Sequence, residues 1–304
     1  MKATRDFFGE HLISLAELDS SIVVVNCDLG EATRTLDFKR KFPNRFIECG
    51  IAEANAISIA SGLSKNGLKP FVTSFGHFLT GKFLEIFQSV GLNNSNVVLV
   101  GTHSGLAIGK DGPTQMGLRD VGLMRLLPNF SIYQPINEEQ THQSLNEIIN
   151  KFGPKYLRLN RQSQDFFSYD EEFIFGNHSE IIIGEKLLVI TQGAPTIEAY
   201  NAIKELHEKD SIGLTSIQSL PLNENNFIKS LENYQKILVV EDHYSSGGIS
   251  DVVSRIIAEN KLNILLKTLA VDDYGQAGSP EDLYKRYSLD KFGIQEKISK
   301  FYSS

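Results

Sequence analysis

Two α/β domains, each built on a mostly parallel β-sheet, are predicted by three features of this sequence. Short apolar, β-branched runs alternate with amphipathic segments along the chain, as in parallel sheets flanked by helices. The 304 residues suffice for two hydrophobic cores. A stretch that mixes acids and aromatics, residues 162–178, follows neither the helical nor the strand period. We therefore expect a first domain over 1–165, a linker over 166–184 and a second domain over 185–304.

Composition and charge narrow the class of protein. The chain is 41% hydrophobic and 22% charged, with 30 basic and 37 acidic residues and a net charge of −7. These values are typical of globular proteins and argue against nucleic acid as a main partner. No apolar run approaches the length of about 18 residues that a membrane span needs, and the N-terminus lacks an apolar signal-peptide core. Cys27 and Cys49 have no metal-ligand spacing, which predicts reduced thiols in a cytoplasmic protein.

The first domain is predicted to begin with a helix over 4–18, because its apolar residues recur on one helical face. The next run, S-I-V-V-V-N over 21–26, is continuously apolar, as expected for a strand buried on both faces. A short strand is expected to end at Cys49. Further strands are predicted over 71–74, 96–101, 130–133 and 156–160, and further helices over 75–88, 118–127 and 137–150.

The second domain repeats the alternation of strands and helices. Its apolar runs predict strands over 187–191, 213–217, 236–240 and 264–269. Helices are predicted over 195–208, 224–233 and 248–260, with two terminal helices starting near 280 and 292. We expect no catalytic residue in this domain, and we interpret His243 as structural or as a domain-interface residue.

A glutamate in apolar surroundings stands at position 53. It occupies the first turn of a predicted helix whose apolar face we expect to be formed by Ile51, Ala54, Ile57, Ala60 and Leu63. A carboxylate in this setting is partly buried, and burial of a charge is costly unless the charge is paired or takes part in chemistry. A simple interaction with the helix dipole is the ordinary alternative.

Polar residues follow several first-domain strands at their carboxyl ends. These positions are Asp28 to Arg34, Glu53, the glycine-rich loop 102–117, and Arg161. Parallel strands bring such ends together on one rim, where open α/β sheets bind ligands. Taken singly, His103 is equally a loop residue bonded to backbone, Asp111 a turn residue, and Arg5 or Arg161 an ion-pair partner. The motifs of nucleotide-binding proteins, zinc proteases and serine hydrolases are absent. The residues alone therefore predict a two-domain α/β enzyme with a carboxylate-centred site.

Three motifs in this order and spacing resemble the transketolase family. They are C-G-I-A-E-A-N over 49–55, T-H-S-G-L-A-I-G-K-D-G-P-T over 102–114, and L-M-R-L-L-P-N over 123–129. The resemblance covers essentially the whole chain and is closest to split bacterial enzymes whose two halves are separate subunits. It implies a thiamine-diphosphate pyrimidine-binding fold followed by a transketolase C-terminal-like domain.

The resemblance implies thiamine diphosphate as the cofactor. Glu53 matches the family glutamate that hydrogen-bonds the aminopyrimidine ring and favours its reactive tautomer, a role that suits a desolvated carboxyl group. Phe75 and Phe78 match aromatic residues that pack on the pyrimidine, and a third aromatic position of the family falls at Gly81. Asp28 matches an aspartate at the cofactor edge of the site.

On the substrate side, the resemblance implies that His103 and Asp111 contact sugar hydroxyls and the reaction intermediate. The implied catalytic residues are thus Glu53, His103 and Asp111. Arg5 and Arg161 match the two family arginines that bind a substrate phosphate, for which bidentate guanidinium geometry is suited.

Three positions depart from the family pattern. Gln115 stands where transketolases have a histidine, Ala32 where they have a phosphate-binding serine, and Lys110 where they have an acid. Gln115 remains a candidate substrate ligand, since an amide donates a hydrogen bond, but it cannot act as an acid or base. Arg34 is a candidate to replace the missing serine contact. We therefore expect ketol transfer on substrates other than the standard pentose phosphates.

Family members hold Mg²⁺ and the diphosphate with a G-D-G motif and a later Asn on a separate domain, and this sequence contains no G-D-G. The resemblance therefore implies a partner subunit that carries this motif in an α2β2 assembly, with Mg²⁺ held mainly by the partner and no metal ligand on this chain. The implied activity is transfer of a two-carbon ketol unit from a ketose, or ketose phosphate, to an aldehyde. The alternatives are the β subunit of a 2-oxoacid dehydrogenase E1-type enzyme and a non-catalytic scaffold of the same fold.

Overall fold

A computed structural model describes residues 2–163 and 172–304, and within these ranges the chain forms two β-sheets. Strands that belong to the first half of the chain are β1 Ile22–Asn26, β2 Phe46–Glu48, β3 Lys69–Phe75, β4 Val98–Thr102, β5 Ser131–Tyr133 and β6 Lys155–Arg158. Strands of the second half are β7 His178–Ile182, β8 Leu187–Thr191, β9 Ile212–Ile217, β10 Ser219–Leu220, β11 Lys236–Tyr244 and β12 Leu265–Val271.

Helices cover both sheets. In the first half they are α1 Thr4–Leu18, α2 Leu36–Lys41, α3 Glu53–Lys65, α4 Gly76–Thr80, α5 Phe83–Glu85, α6 Asp120–Arg125 and α7 Glu138–Asn150. In the second half they are α8 Pro195–Lys204, α9 Glu224–Leu231, α10 Ile249–Glu259, α11 Pro280–Arg286 and α12 Lys291–Ser303. No helix in the described ranges combines the length and the apolar character that crossing a bilayer requires.

The first sheet has the strand order β10-β5-β6-β4-β3-β1-β2, and the second has the order β12-β11-β8-β9-β7. Neighbouring strands are parallel except at one edge of each sheet, where β10 pairs with β5 and β7 pairs with β9 in antiparallel fashion. The prediction of two mostly parallel α/β domains is therefore confirmed.

The second half of the chain completes the first sheet. Strand β10 comes after β9 in sequence, yet Ser219 pairs with Tyr133 and Leu220 with Ile132 of β5. Apolar side chains from both halves also share one buried cluster, in which Leu220 joins the first-half residues Leu127 and Ile132. The two halves consequently pack as one body with a common core, an arrangement that strand periodicity alone does not predict.

Three sequence predictions need correction. The helix expected over 75–88 is broken: Phe75 ends β3, α4 stops at Thr80, and the chain resumes as α5 and a π-helical turn over Ile86–Gly91. The apolar face expected for α3 is also shifted, since Ile51 lies outside the helix and is exposed. Within the linker expected over 166–184, the structure forms the edge strand β7; residues 166–171 of that linker lie outside the described ranges.

The first sheet brings the predicted site residues to one edge. Strands β1, β3 and β4 are parallel neighbours, with Asn26 beside Thr73 and Phe75 beside Thr102. The residues that follow β1 and β4 turn sharply away, as shown by positive φ angles of 57° at both Asp28 and His103. Left-handed backbone is uncommon for non-glycine residues and concentrates at functional sites.

Candidate active site

Glu53 begins α3 and is only 7% exposed. Ser74, next to the end of β3, donates a hydrogen bond of 2.9 Å from its hydroxyl to Glu53 Oε1. Within the described ranges no hydrogen bond reaches Oε2. Burial and the nearby charge of Glu53 both raise the pKa of the Cys27 thiol. The carboxylate thus has one anchored oxygen and one that a ligand can bind.

Two phenylalanines and a histidine form a group of aromatic rings at the ends of β3 and β4 and the start of α4. The rings of Phe75 and Phe78 lie 5.5 Å apart between centroids with an angle of 17° between their planes. The ring of His103 lies 4.0 Å from that of Phe75, tilted by 36°. Phe75 directly follows Ser74, the residue that holds Glu53, and α4, which carries Phe78, begins at the next residue. Such a surface is suited to packing against a flat ring.

A hydrogen-bonded chain joins Arg5 to the end of β3. Arg5 Nη1 contacts His103 Nε2 at 2.8 Å and donates to the carbonyl of Ala32 at 3.0 Å. Because a guanidinium has no acceptor, Nε2 accepts, and the imidazole proton must lie on Nδ1. His103 Nδ1 then donates to the Thr102 hydroxyl at 2.9 Å, which itself donates to the carbonyl of Ser74 at 3.4 Å. His103 is therefore held as a single neutral tautomer.

The electrostatics of this region agree with that tautomer. Burial, followed by the charges of Arg5, Arg161 and Arg34, lowers the pKa of His103 from 6.5 to about 3. Burial and the charge of Arg34 also lower the pKa of Arg5 from 12.5 to about 10. An imidazole with so low a pKa stays neutral at physiological pH, so it serves as a hydrogen-bonding group and not as a cation.

Most of the predicted site residues line one open cleft of about 440 Å³. The predicted residues in its wall are Arg5, Asp28, Phe75, His103 and Arg161, and the two positions compared with the family serine, Ala32 and Arg34, also line it. Glu53 and Phe78 are not part of the lining: Phe78 stacks on Phe75, and Glu53 is hydrogen-bonded to Ser74, the residue before Phe75. The sheet thus gathers residues from α1, the loop after β1, β3, and the loop after β4.

The cleft carries an excess of positive charge at its rim. Arg34 Nε donates to Asp6 Oδ1 at 2.6 Å, and Arg161 Nη1 makes one long contact of 3.4 Å with the carbonyl of Ile108. Both guanidinium groups keep donors that bind no atom of the described ranges. Three arginines around one neutral histidine can bind a dianion such as a phosphate.

Glu48 is a residue that sequence analysis missed. Its carboxylate accepts hydrogen bonds from the Asn26 side chain at 2.6 Å, from the Asp28 backbone at 2.9 Å and from the Gly50 backbone at 3.1 Å. Burial favours the neutral form, but these bonds outweigh it and lower the pKa of Glu48. Glu48 therefore fixes the loop of Asp28 to the turn that leads into α3. The sequence signal that could have identified Glu48 was its position at the end of a short strand, directly before Cys49.

Ser74 and Thr102 were missed as well. Each hydroxyl immediately precedes a predicted site residue, Phe75 or His103, and that adjacency was the only sequence signal. The structure places both side chains in buried positions at the ends of neighbouring strands. They connect the surroundings of Glu53 with those of His103.

Asp111 and Gln115 lie on the loop after β4 but outside the lining of the cleft. Asp111 ends a short 3-10 helix, Leu106–Asp111, and is exposed, as is Lys110. Gln115 is half-buried, and its neighbour Met116 accepts a hydrogen bond of 2.9 Å from His77 Nδ1 on α4. The predicted contacts of Asp111 and Gln115 with a substrate therefore remain predictions.

The described residues contain no group of side chains that is arranged as a metal site. Across residues 2–163 and 172–304, no three or more His, Cys, Asp or Glu side chains are grouped so that they could hold a metal ion. Two carboxylates close to the cleft, Glu48 and Asp6, are instead engaged with protein groups.

Two families match this sequence in succession. The transketolase pyrimidine-binding domain matches residues 1–165, and the transketolase C-terminal domain matches residues 180–294. Together they account for both sheets of the structure.

Relatives of two lengths are similar to the chain. A protein of Methanocaldococcus jannaschii, provisionally named a transketolase C-terminal section, is 32% identical over 98% of this chain and 95% of its own length. One of the subunits of the apulose-4-phosphate transketolase of Phocaeicola vulgatus is 30% identical, covering 99% of this chain and 98% of its own length. Human transketolase is 31% identical over 97% of this chain, but the chain spans only 48% of that protein.

Solved structures agree with these relationships. A split-gene transketolase, described as an inactive β4 tetramer, superposes with a TM-score of 0.88 at 29% identity, covering 99% of this chain and 98% of that one. The match extends over both sheets and the helices that cover them. The chain belongs to the transketolase family and corresponds to the C-terminal subunit of its split members.

Proposed function

We propose that this chain is the β-type subunit of a thiamine-diphosphate-dependent transferase that moves a two-carbon ketol unit from a ketose to an aldehyde. The observation that carries the proposal is the Glu53 carboxylate, buried at the start of α3. Ser74 anchors one of its oxygens, the other has no hydrogen bond within the described ranges, and the aromatic pair begins at Phe75, the residue after Ser74. This arrangement suits the aminopyrimidine ring of thiamine diphosphate, whose nitrogen needs a hydrogen bond from a carboxyl group.

The residues present fit the pyrimidine end of thiamine diphosphate. Glu53 offers the free oxygen, Phe75 and Phe78 offer ring surfaces, and Asp28 lies at the neighbouring edge. When bound, the cofactor supplies a nucleophilic ring carbon for the transfer. In this proposal Glu53 holds a proton at a ring nitrogen, and the two phenylalanines orient the ring and exclude water.

The substrate is proposed to carry a phosphate. Arg5, Arg34 and Arg161 surround the open end of the cleft, and the positive potential of three guanidinium groups favours a dianion. His103 is neutral and held by Arg5 and Thr102. It is proposed to exchange the Arg5 bond at Nε2 for one from a substrate hydroxyl, which Asp111 and Gln115 also contact. The Phocaeicola relative is named for a sugar phosphate, which supports the same class of substrate.

A partner subunit is proposed to supply Mg²⁺ and the groups that bind the diphosphate. The chain spans about half of human transketolase and nearly all of two split relatives, and its sequence has no G-D-G motif. The inactive β4 form of the split-gene relative supports an α2β2 assembly as the active state. A cytoplasmic location is part of this proposal, with the free thiols of Cys27 and Cys49 in accord with it.

Reconstitution tests the proposal. The chain would be expressed alone and together with a transketolase N-terminal-type subunit from the same genome, and each preparation assayed with thiamine diphosphate, Mg²⁺, ketose phosphates and aldehyde acceptors. We expect ketol transfer and about one bound cofactor per pair only in the co-expressed sample. Turnover by the chain alone would contradict the need for a partner. Decarboxylation of pyruvate without ketol transfer would instead assign a 2-oxoacid dehydrogenase subunit, and a stable pair with no cofactor would indicate a scaffold.

A further inference from the structure

A buried cluster of three charges joins the two halves of the chain beneath the 102–117 loop. We call Asp120, Arg158 and Asp242 the interdomain cluster. Arg158 lies on β6 and donates from Nε to Asp120 Oδ2 at 2.9 Å and from Nη1 to Asp242 Oδ1 at 3.0 Å. The side chain of Arg158 is 2% exposed, and both carboxylates are fully buried. Asp242 is on β11, so this ion pair crosses from one sheet to the other.

Two tyrosines add hydrogen bonds to the interdomain cluster, while Asp120 Oδ1 is buried without a partner in the described ranges. The Tyr156 hydroxyl donates to Asp120 Oδ2 at 2.8 Å, and the Tyr284 hydroxyl donates to Asp242 Oδ2 at 3.1 Å. Although burial opposes its charge, Arg158 has its pKa raised by Asp120 and Asp242. Buried charges of this kind are retained only in a defined geometry, because loss of one partner leaves another charge uncompensated.

The interdomain cluster holds the base of the loop. Arg158 Nη2 donates to the carbonyl of Gly117 at 3.1 Å, and the same carbonyl accepts the backbone N–H of Gly105 at 3.1 Å. Gly105 has a φ of 64°, and a Cβ at this position would lie 1.8 Å from Asp242 Oδ2. The two ends of the loop therefore close directly on the Asp242 carboxylate. His103 is two residues before Gly105.

The second half of the chain also covers the outer part of the loop. The backbone N–H of Gly278 approaches the carbonyl of Gly109 at 3.5 Å, and a Cβ on Gly112 would lie 3.3 Å from that of Ala277. At the C-terminal end of the loop, the N–H of Tyr244 donates to the carbonyl of Leu118 at 2.7 Å. The imidazole of His243 adds a contact of 3.3 Å from the N–H of Gly122, in accord with its predicted interface role.

We propose that the C-terminal domain positions the substrate-side loop of the site and that Asp242 is the positioning residue through which it does so. Asp242 touches no reacting group; it acts through Arg158 and Gly105 on the backbone that carries His103. The assignment of this loop to the substrate side rests on the proposed function. The mechanical coupling between Asp242 and the loop does not, so the two can fail separately.

Hydrogen exchange on the purified full chain tests the coupling without any activity. In Asp242→Asn the side chain keeps its shape but loses its charge, so the hold on Gly105 and Gly117 weakens. We expect amide exchange across residues 103–117 to accelerate about tenfold or more, the factor that loss of a charge-assisted hydrogen bond predicts. Tyr284→Phe, which removes only one bond to Asp242, should accelerate the same amides to a smaller extent and serves if the first variant does not fold.

Glu241→Gln is the matched control. Glu241 is the neighbouring buried carboxylate on β11, but it accepts the N–H groups of Ile249 and Ser250 at the start of α10 and does not contact the loop. We expect Glu241→Gln to leave exchange over 103–117 unchanged. Equal acceleration in Glu241→Gln and Asp242→Asn, or no acceleration in Asp242→Asn and Tyr284→Phe, would overturn the proposal.

Kinetics of the co-expressed pair give the second readout. Asp242→Asn should raise KM for the sugar substrate several-fold more than it lowers kcat, because the loop is displaced while Glu53 and the aromatic surface are unaffected. A fall of kcat with KM unchanged would contradict a role at the substrate side. If no pair shows ketol transfer at all, the proposed function fails while the exchange result still decides the coupling.

Discussion

The two walls of the candidate site differ in their electrostatic character. The carboxylate wall, formed by Glu53, Ser74, Phe75 and Phe78, is buried except for the partly buried Phe78, and its one charge has one hydrogen-bond partner. The cationic wall, formed by Arg5, Arg34, His103 and Arg161, is open to the cleft and contains three guanidinium groups around a neutral imidazole. Charges interact strongly where water is excluded and weakly where it is not. One sheet edge therefore offers a site for a proton shared with a ring and a separate site for an anion.

The difference arises from how each wall is built. The carboxylate wall comes from the end of β3 and the first turns of α3 and α4, and its two phenylalanines belong to an apolar cluster that includes second-half side chains such as Leu283. The cationic wall comes from α1 and from loops that follow β1, β4 and β6. Regular elements exclude water from a side chain, whereas loops at the ends of strands leave side chains accessible. The Thr102 hydroxyl, bonded to both His103 and Ser74, connects the two.

The largest expected effect comes from the carboxylate wall. Glu53→Gln retains an oxygen for the Ser74 hydroxyl but cannot share a proton with a ring nitrogen, so ketol transfer by the reconstituted pair should fall roughly 100- to 10,000-fold. Steady-state rates with saturating cofactor measure this effect. Glu17→Gln, which alters an exposed carboxylate paired with Lys41 on the far side of α1, should leave the rate unchanged. If Glu53→Gln kept the wild-type rate, the Glu53 carboxylate would have no role in the reaction.

Substitution of the cationic wall should have an intermediate effect confined to phosphorylated substrates. Arg161→Ala and Arg34→Ala each remove a charge-assisted donor, so KM for a ketose phosphate should rise roughly 10- to 100-fold. The same substitutions should leave KM for the unphosphorylated sugar nearly constant. Arg40→Ala, on α2 and outside the cleft, is the matched control. Equal effects on both sugars would show that these arginines do not recognise a phosphate.

The neutral state of His103 predicts a stability effect in acid. Its pKa is lowered from 6.5 to about 3, so between these values the unfolded chain binds a proton that the native chain does not. Stability from this residue is therefore fully present above pH 6.5 and is lost as pH falls toward 3, by roughly 2 kcal/mol at pH 5. Urea unfolding of the wild type and of His103→Gln at pH 7 and pH 5 measures the difference.

His103→Gln should lose less stability between pH 7 and pH 5 than the wild type does, because glutamine does not titrate. His207→Gln is the control, since His207 is exposed at the surface of the second half. Identical losses in the wild type and His103→Gln would mean that the imidazole is not held neutral by burial and the arginines.

The smallest effect is expected at Gln115, which lies outside both walls. Gln115→His restores the residue type of the family and keeps a hydrogen-bond donor, so the free energy of unfolding should change by less than about 0.5 kcal/mol. KM for the sugar substrate should change less than about tenfold. A larger change in KM with unchanged stability would indicate that the loop of Gln115 joins the cationic wall when substrate binds.

Much of the fold and part of the site could be predicted from the sequence. The apolar runs of β1 and β8 and the periodicity of α1 are local properties, and the structure has these elements almost as predicted. Of the residues expected on one rim, Arg5, Asp28, His103 and Arg161 line one cleft, whereas Glu53 and Asp111 do not. The break after Thr80 was missed although Gly81 stands at it, because the apolar residues on both sides keep the helical period.

The sequence by itself determined the strand and helix order, the family motifs and the placement of Glu53 at a helix start, because these depend on spacing along the chain. Tertiary structure alone decided that Ser74 anchors Glu53, that Arg5 and Thr102 hold His103 in one tautomer, and that β10 and Asp242 tie the second half to the first. These contacts join residues as many as 98 positions apart, as between Arg5 and His103. No local period encodes them, since they exist only after the core has brought the strand ends together.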